Sequence, residues 1–178
     1  MSAIHFEAKL VTIGSIILLK LPKSASVKLL SRGMTMVDGT MNDFHFQAAL
    51  EPDGKGSHWL KVDKTMLKAA RASLGDTVTL AIEPASKWPD PKVPADLKSA
   101  LAAVPQAQQL WLDITPMARW DWIRWIGATK NPETRQRRID ITLSKFEDGK
   151  RRPCCFDRSK CTDTSVSSNG LLLEPTQV

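Results

Sequence analysis

The stretch HWLKVDKTMLKAARASLGDTVTLAI, His58–Ile82, decides the fold, because its hydrophobic period changes twice. "HWLKV" reads as a strand, and Asp63 then stands as an N-cap before "KTMLKAARAS", where Met66, Leu67 and Ala70 recur at helical spacing. Leu74-Gly75-Asp76 stops that short helix, and "TVTLAI" returns to strict alternation with Val78, Leu80 and Ile82 on one face. Strand, short helix, Gly-Asp turn and strand make one unit of an antiparallel sheet with a helical cap.

Working upstream, "FHFQAAL" sets Phe44, Phe46, Ala48 and Leu50 against His45, Gln47 and Ala49, the period of a half-buried strand. Asn42-Asp43 before it tolerates positive φ and predicts a tight hairpin with "MTMVDGTM", while "EPDGKGS" predicts a looser turn into "HWLKV". With an N-terminal pair around "HFEAKL" and "SIILLKLP" this gives about six strands, enough to close a small barrel. The apolar run "LVTIGSIILL" is about half of a membrane span, and Lys20 follows it. Acidic Glu7 and the β-branched content favour a strand over a secretory leader.

Working downstream, the proline-rich stretch from Glu83 to Pro94 marks a module boundary. Three helices follow: "VPADLKSALAAV"; "ITPMARWDWIRWIGATK", with Thr115 as N-cap and Pro116 at N1; and "NPETRQRRIDITLSKFEDG", with Asn131 as N-cap, Pro132 at N1 and Gly149 as its stop. The expected class is α+β: an antiparallel double-split β-barrel with short capping helices over residues 1–86, a linker over 87–92, a three-helix segment over 93–157, and a mobile tail with few core formers over 158–178.

Of the 178 residues 42% are hydrophobic and 25% charged, the range of an ordinary globular chain. Three cysteines, Cys154, Cys155 and Cys161, make no disulfide framework and predict a reducing compartment, hence the cytoplasm. The net charge of +6 is uneven: Arg119–Lys160 holds twelve Lys/Arg against six Asp/Glu, and the rest is balanced. That asymmetry points to an anionic partner.

The motifs "VPADL", "ITPMAR", "ATKNPETRQRRI" and "GKRRPCCFD" fall in an order and spacing that resembles the YdeI/OmpD-associated, or bacteriocin-protection, family. The stretch from Lys20 to Pro84 resembles a small uncharacterised β-barrel domain that precedes it, so the likeness runs from Phe6 to Asp157. For the first half this resemblance implies a double-split barrel, and at the cellular level it implies resistance to bacteriocins. "MND" at Met41–Asp43 departs from it, since related chains tend to carry a glycine in that turn. A second likeness, of architecture only, is to the AbrB-type DNA-binding barrels, and fold does not transfer function.

Candidate chemistry concentrates where Trp122, Trp125, Ile126 and Thr129 share adjoining turns of one helix, and Ile139, Leu143 and Phe146 form the inner stripe of the next. Most of these aromatics are core. Arg135, Arg137 and Arg138 crowd a helix N-terminus, where like charge is costly. Either Glu133, Asp121 and Asp140 neutralise them, or the free N–H groups with Thr134, Arg135 and Arg138 bind an anion. The cysteines and histidines lack metal-ligand spacing, "DGKGS" lacks the phosphate-loop pattern, and no Ser/His/Asp or Cys/His set is legible.

The expectation is a cytosolic, non-enzymatic binding protein without cofactor or membrane insertion. Its ligand, an anionic small molecule or a protein partner, would lie at the junction of the modules against Arg32, Arg71, Arg119, Trp122, Lys130, Thr134, Arg135 and Arg138. Arg32 and Arg71 enter as the only arginines of the barrel half. The rival readings are a nucleic-acid-binding regulator, not favoured because one face of the basic helix belongs to the core, and an enzyme acting on a small anion.

Overall fold

A computed structural model describes residues 2–153, 163–167 and 170–176. It divides into two units, Met1–Lys87 with Gly170–Val178, and Trp88–Asn169. Cys154, Cys155 and Cys161 lie outside the described residues.

The first unit is a curled antiparallel sheet of strands β1 (Ile4–Lys9), β2 (Val11–Ile13), β3 (Ile16–Lys20), β4 (Thr35–Met41), β5 (Phe44–Pro52), β6 (His58–Val62) and β7 (Thr77–Pro84), with helices α1 (Lys23–Ser26) and α2 (Lys64–Ala69). The strand order is β1-β7-β4-β5-β6-β3-β2. Its two ends, β1 and β2, are consecutive in the chain with Leu10 alone between them, so the sheet must curl round. Leu10 is wholly buried, and its N–H donates to Asp76 O at 2.9 Å while its carbonyl accepts from Gly75 N at 3.0 Å. Seven strands replace the six expected, because a turn at Gly14-Ser15 folds the apolar run back on itself and pairs Val11 with Leu18.

Alternation fills the inside of the curl with Leu19, Val37, Met41, Leu50, Leu60, Val78, Leu80 and Ile82. Each such side chain contributes about 1.5–3 kcal/mol by leaving water. The curl is tight at Gly39, where an added Cβ would come within 2.5 Å of Ala81 O. The β4–β5 hairpin turns on Asn42 (φ 45°) and Asp43 (φ 68°), two residues that tolerate the left-handed region, so the missing glycine is no obstacle. Asp63 caps α2 by accepting from Met66 N at 2.7 Å.

Residues 170–176 lie along this unit. Leu172 N–H donates to Asp53 O at 2.9 Å, Thr176 N–H to Thr12 O at 2.8 Å, and Lys55 pairs with Glu174 at 3.0 Å. Leu172 is buried, which the polar composition of the tail does not disclose.

Among its described residues the second unit packs four helices, α3 (Ala95–Ala103), α4 (Pro105–Asp113), α5 (Pro116–Gly127) and α6 (Pro132–Glu147). Three were expected; the sequence does not disclose α4 because three glutamines dilute its apolar spacing, although Ala107 and Trp111 are buried. Thr115 caps α5 and Asn131 caps α6 as their sequences predict. Trp111, Trp122, Trp125, Ile126, Ile139 and Phe146 form the core, with Phe146 edge-on to Trp122 at 5.0 Å between ring centroids. The proline-rich stretch is fastened to α5: Trp120 Nε1 donates to Pro89 O at 2.8 Å, and Arg119 pairs with Asp90.

Candidate functional site

In the second unit three of the predicted cations, Arg119, Arg135 and Arg138, serve structural tasks. Arg119 donates through Nε to Trp111 O at 2.9 Å and through NH2 to Leu112 O at 2.8 Å, which satisfies the last carbonyls of α4. Arg138 does the same for α5, donating to Trp125 O at 2.5 Å with its guanidinium 5.3 Å from the Trp125 ring centroid. Arg135 forks onto Asp96, Nε to Oδ2 at 2.7 Å and NH2 to Oδ1 at 2.9 Å. The carboxylate that neutralises Arg135 is thus Asp96 of α3. Arg135 holds the Asp96 carboxyl below the ordinary carboxylate range.

Thr134 is half-buried, and its N–H donates to Asn131 Oδ1, as does that of Glu133. The side chain of Asn131 therefore occupies part of the expected anion corner. Trp122 is a core residue, and its Nε1 donates to Arg151 O at 3.0 Å. Lys130 is exposed in the turn between α5 and α6. The outward face of α6 carries Glu133, Asp140 and Glu147 with Arg137 among them. Asp121 sits between Arg124 at 3.6 Å and Arg152 at 3.4 Å, yet burial outweighs both and pushes its carboxyl up.

In the first unit Arg32 donates to Leu29 O at 2.8 Å and to Ser26 O, and Arg71 closes α2 in the left-handed conformation, φ 52°. Beneath Arg32 lies a contact without any spacing signature: Ser26 Oγ is 2.7 Å from His58 Nδ1, and His58 Nε2 is 2.9 Å from Gly33 O. The carbonyl can only accept, so in the neutral ring Nε2 carries the hydrogen and Nδ1 accepts from the serine hydroxyl. Ser26 is 0% and His58 1% exposed. This pair has the polarity of a nucleophile and its base but no access for substrate, and it fastens Gly33 and the turn after α1 to β6.

A groove of about 500 Å³ lies on the first unit, lined by His5, Thr40, Asn42, Asp43 and Thr79 among others, with a hollow of about 230 Å³ that includes Asp38, His45 and Glu83. Register explains it. His5 of β1 pairs with Ala81 of β7, Ala81 with Thr40 of β4, and Thr40 with His45 of β5. One cross-strand row thus runs large, small, small, large, leaving a trough over Ala81 and Thr40. The flanking row Glu83, Asp38 and Gln47 adds two carboxylates. Neither hollow is lined by lysine or arginine. Single-strand alternation cannot disclose this trough, which needs the pairing of strands distant in sequence.

Residues 6–82 match a domain of unknown function (DUF1905), and residues 90–149 match the family described as Bacteriocin-protection, YdeI or OmpD-Associated. A search of the curated proteins gives no match. The curled sheet of one unit and the helices of the other coincide with these two spans: the first unit carries a DUF1905 barrel-like domain, and the second a domain of the bacteriocin-protection, YdeI or OmpD-associated family.

Proposed function

We propose that this is a cytosolic, non-enzymatic binding protein of the bacteriocin-protection type, and that its ligand is a peptide or protein segment bearing amines, held on the outer face of the first unit. The trough over Ala81 and Thr40 carries the reading. Its volume falls in the range of ligand pockets, and Asp38, Asp43 and Glu83 favour a cation. An anionic small molecule is less well supported, because Arg119, Arg135, Arg138 and Arg32 already serve carboxylates or carbonyls. Acidic side chains along the outer face of α6 likewise weigh against a polyanion reader. Burial of Ser26 and His58 removes that pair as a catalytic candidate.

Titration calorimetry with a short lysine-rich peptide tests the reading. Binding in the micromolar range, weakened about fivefold to tenfold by Asp43→Asn with Glu83→Gln, is expected for two exposed carboxylates that face the amines of the peptide. Equal binding by wild type and variant, or none, would remove the trough from the account.

A further inference from the structure

Between Lys20 and Val37 the chain has four cations, Lys20, Lys23, Lys28 and Arg32, and no carboxylate. Its folded form is an exposed apolar tip. α1 continues into turns in which Val27 N–H bonds to Lys23 O at 2.9 Å, Lys28 N–H to Ala25 O at 3.1 Å and Leu29 N–H to Ser26 O at 3.0 Å. This near-helical course separates two faces. Ala25, Ser26 and Leu29 are buried, whereas Val27 is 69% and Leu30 87% exposed, with exposed Lys23 and Lys28 beside them. Lys23, Val27 and Leu30 follow i, i+4, i+7 and so share a side.

The tip is also held from behind. Ser26 Oγ bonds to His58, His58 bonds to Gly33 O, and Arg32 bonds to the carbonyls of Ser26 and Leu29. A loop fixed by two buried polar groups, Ser26 and His58, and by Arg32 keeps two apolar side chains in water without having to be ordered on contact. One exposed leucine is unremarkable in any protein; an exposed apolar pair flanked by lysines, on a segment whose own sequence has no carboxylate, is a combination with a specific complement.

We infer that the Lys23–Arg32 tip docks on an anionic membrane surface, Val27 and Leu30 entering the headgroup boundary while Lys23 and Lys28 meet lipid phosphates. Such a surface places negative charge directly in front of an apolar layer, which matches lysines flanking two apolar tips. An acidic soluble partner would satisfy the lysines and leave Leu30 in water. Docking at this depth needs no spanning segment, and no helix among the described residues is long and apolar enough to cross a membrane. The inference is independent of the trough and of its ligand.

Cosedimentation of the full chain with phosphatidylglycerol/phosphatidylcholine vesicles, against vesicles of phosphatidylcholine alone, tests it. Binding is expected to the anionic vesicles only and to weaken as salt rises. Val27→Ser with Leu30→Ser should reduce the bound fraction at least about fivefold, since both side chains lose apolar transfer energy. Both positions are exposed, so an unchanged melting temperature will exclude unfolding as the cause. Lys23→Gln with Lys28→Gln should give a similar loss and a shallower salt dependence. Failure of the wild type to bind anionic vesicles overturns the inference. So does undiminished binding by the serine variant, or displacement from vesicles by polyglutamate that is equally effective for wild type and serine variant, which would mark an acidic macromolecule as the occupant.

Discussion

Arg135 grips Asp96 through two parallel hydrogen bonds and so ties the first turn of α6 to the first turn of α3. Two residues 39 apart in sequence thereby resolve a conflict that the arginine-rich start of α6 creates: the helix end repels cations, and a carboxylate from another helix neutralises one of them.

Removing either partner tests that tie. Asp96 stays ionised more readily in the fold than in the unfolded chain, because Arg135 lowers its pKa. Its stabilisation is complete above the unfolded carboxylate value, about 4, and is lost as pH falls through the lowered folded value. Asp96→Asn should cost below ~1 kcal/mol at neutral pH, since both side chains are partly exposed. Urea unfolding at pH 7 and pH 3 checks this, and the difference between variant and wild type should shrink at the lower pH.

Asp121 should behave in the opposite sense. Burial raises its pKa despite Arg124 and Arg152, so ionising it costs the fold more than it costs the unfolded chain. The cost is absent below the unfolded value and grows as pH rises through the raised folded value. Asp121→Asn is expected to leave stability at pH 7 unchanged or to raise it by up to ~1 kcal/mol. A clear loss in the same urea series would show that the two ion pairs outweigh burial.

Arg119 closes the end of α4 and fastens Asp90 to the helices. Arg119→Ala leaves two carbonyls short of a donor and should cost about 1–3 kcal/mol. Lysine should restore only part of this, because one ammonium cannot reproduce the planar fork that reaches both carbonyls and the carboxylate. Thermal unfolding of the two variants distinguishes a geometric role from simple charge.

Ser26→Ala strands the Nδ1 acceptor of His58 inside the first unit, with an expected loss of about 1–3 kcal/mol. His58→Phe in the same background should cost less than the sum of the separate changes, because the hydroxyl and the ring depend on each other. Strict additivity in a double-mutant cycle would contradict the coupling.

Gly39→Ala places a methyl against the Ala81 carbonyl, a backbone group that cannot swing aside. A loss of about 1–3 kcal/mol is expected, from overpacking between β4 and β7.

Much of this architecture is legible in local sequence. The caps at Asp63, Thr115 and Asn131, the Asn42-Asp43 turn and the alternating strands are all set by neighbours within a few residues, which spacing can report. Other features depend on pairing across the chain. The Arg135–Asp96 fork, the Ser26–His58 bond and the trough between His5 and His45 each join residues more than thirty apart, and no local pattern encodes them. The arginine cluster was legible as charge but not as geometry, because composition does not distinguish a guanidinium awaiting a ligand from one that caps a helix. α4 escaped for a related reason: its buried Ala107 and Trp111 are separated by glutamines that face outward.

The most direct test of the trough is amide NMR of the full chain titrated with a lysine-rich peptide. Shifts that saturate and cluster around His5, Thr40, His45, Thr79 and Ala81 are expected, with the α5–α6 turn undisturbed. Shifts confined to Lys130, Thr134 and Arg137, and evoked by inorganic polyphosphate in place of the peptide, would contradict this and return the ligand to the helical unit.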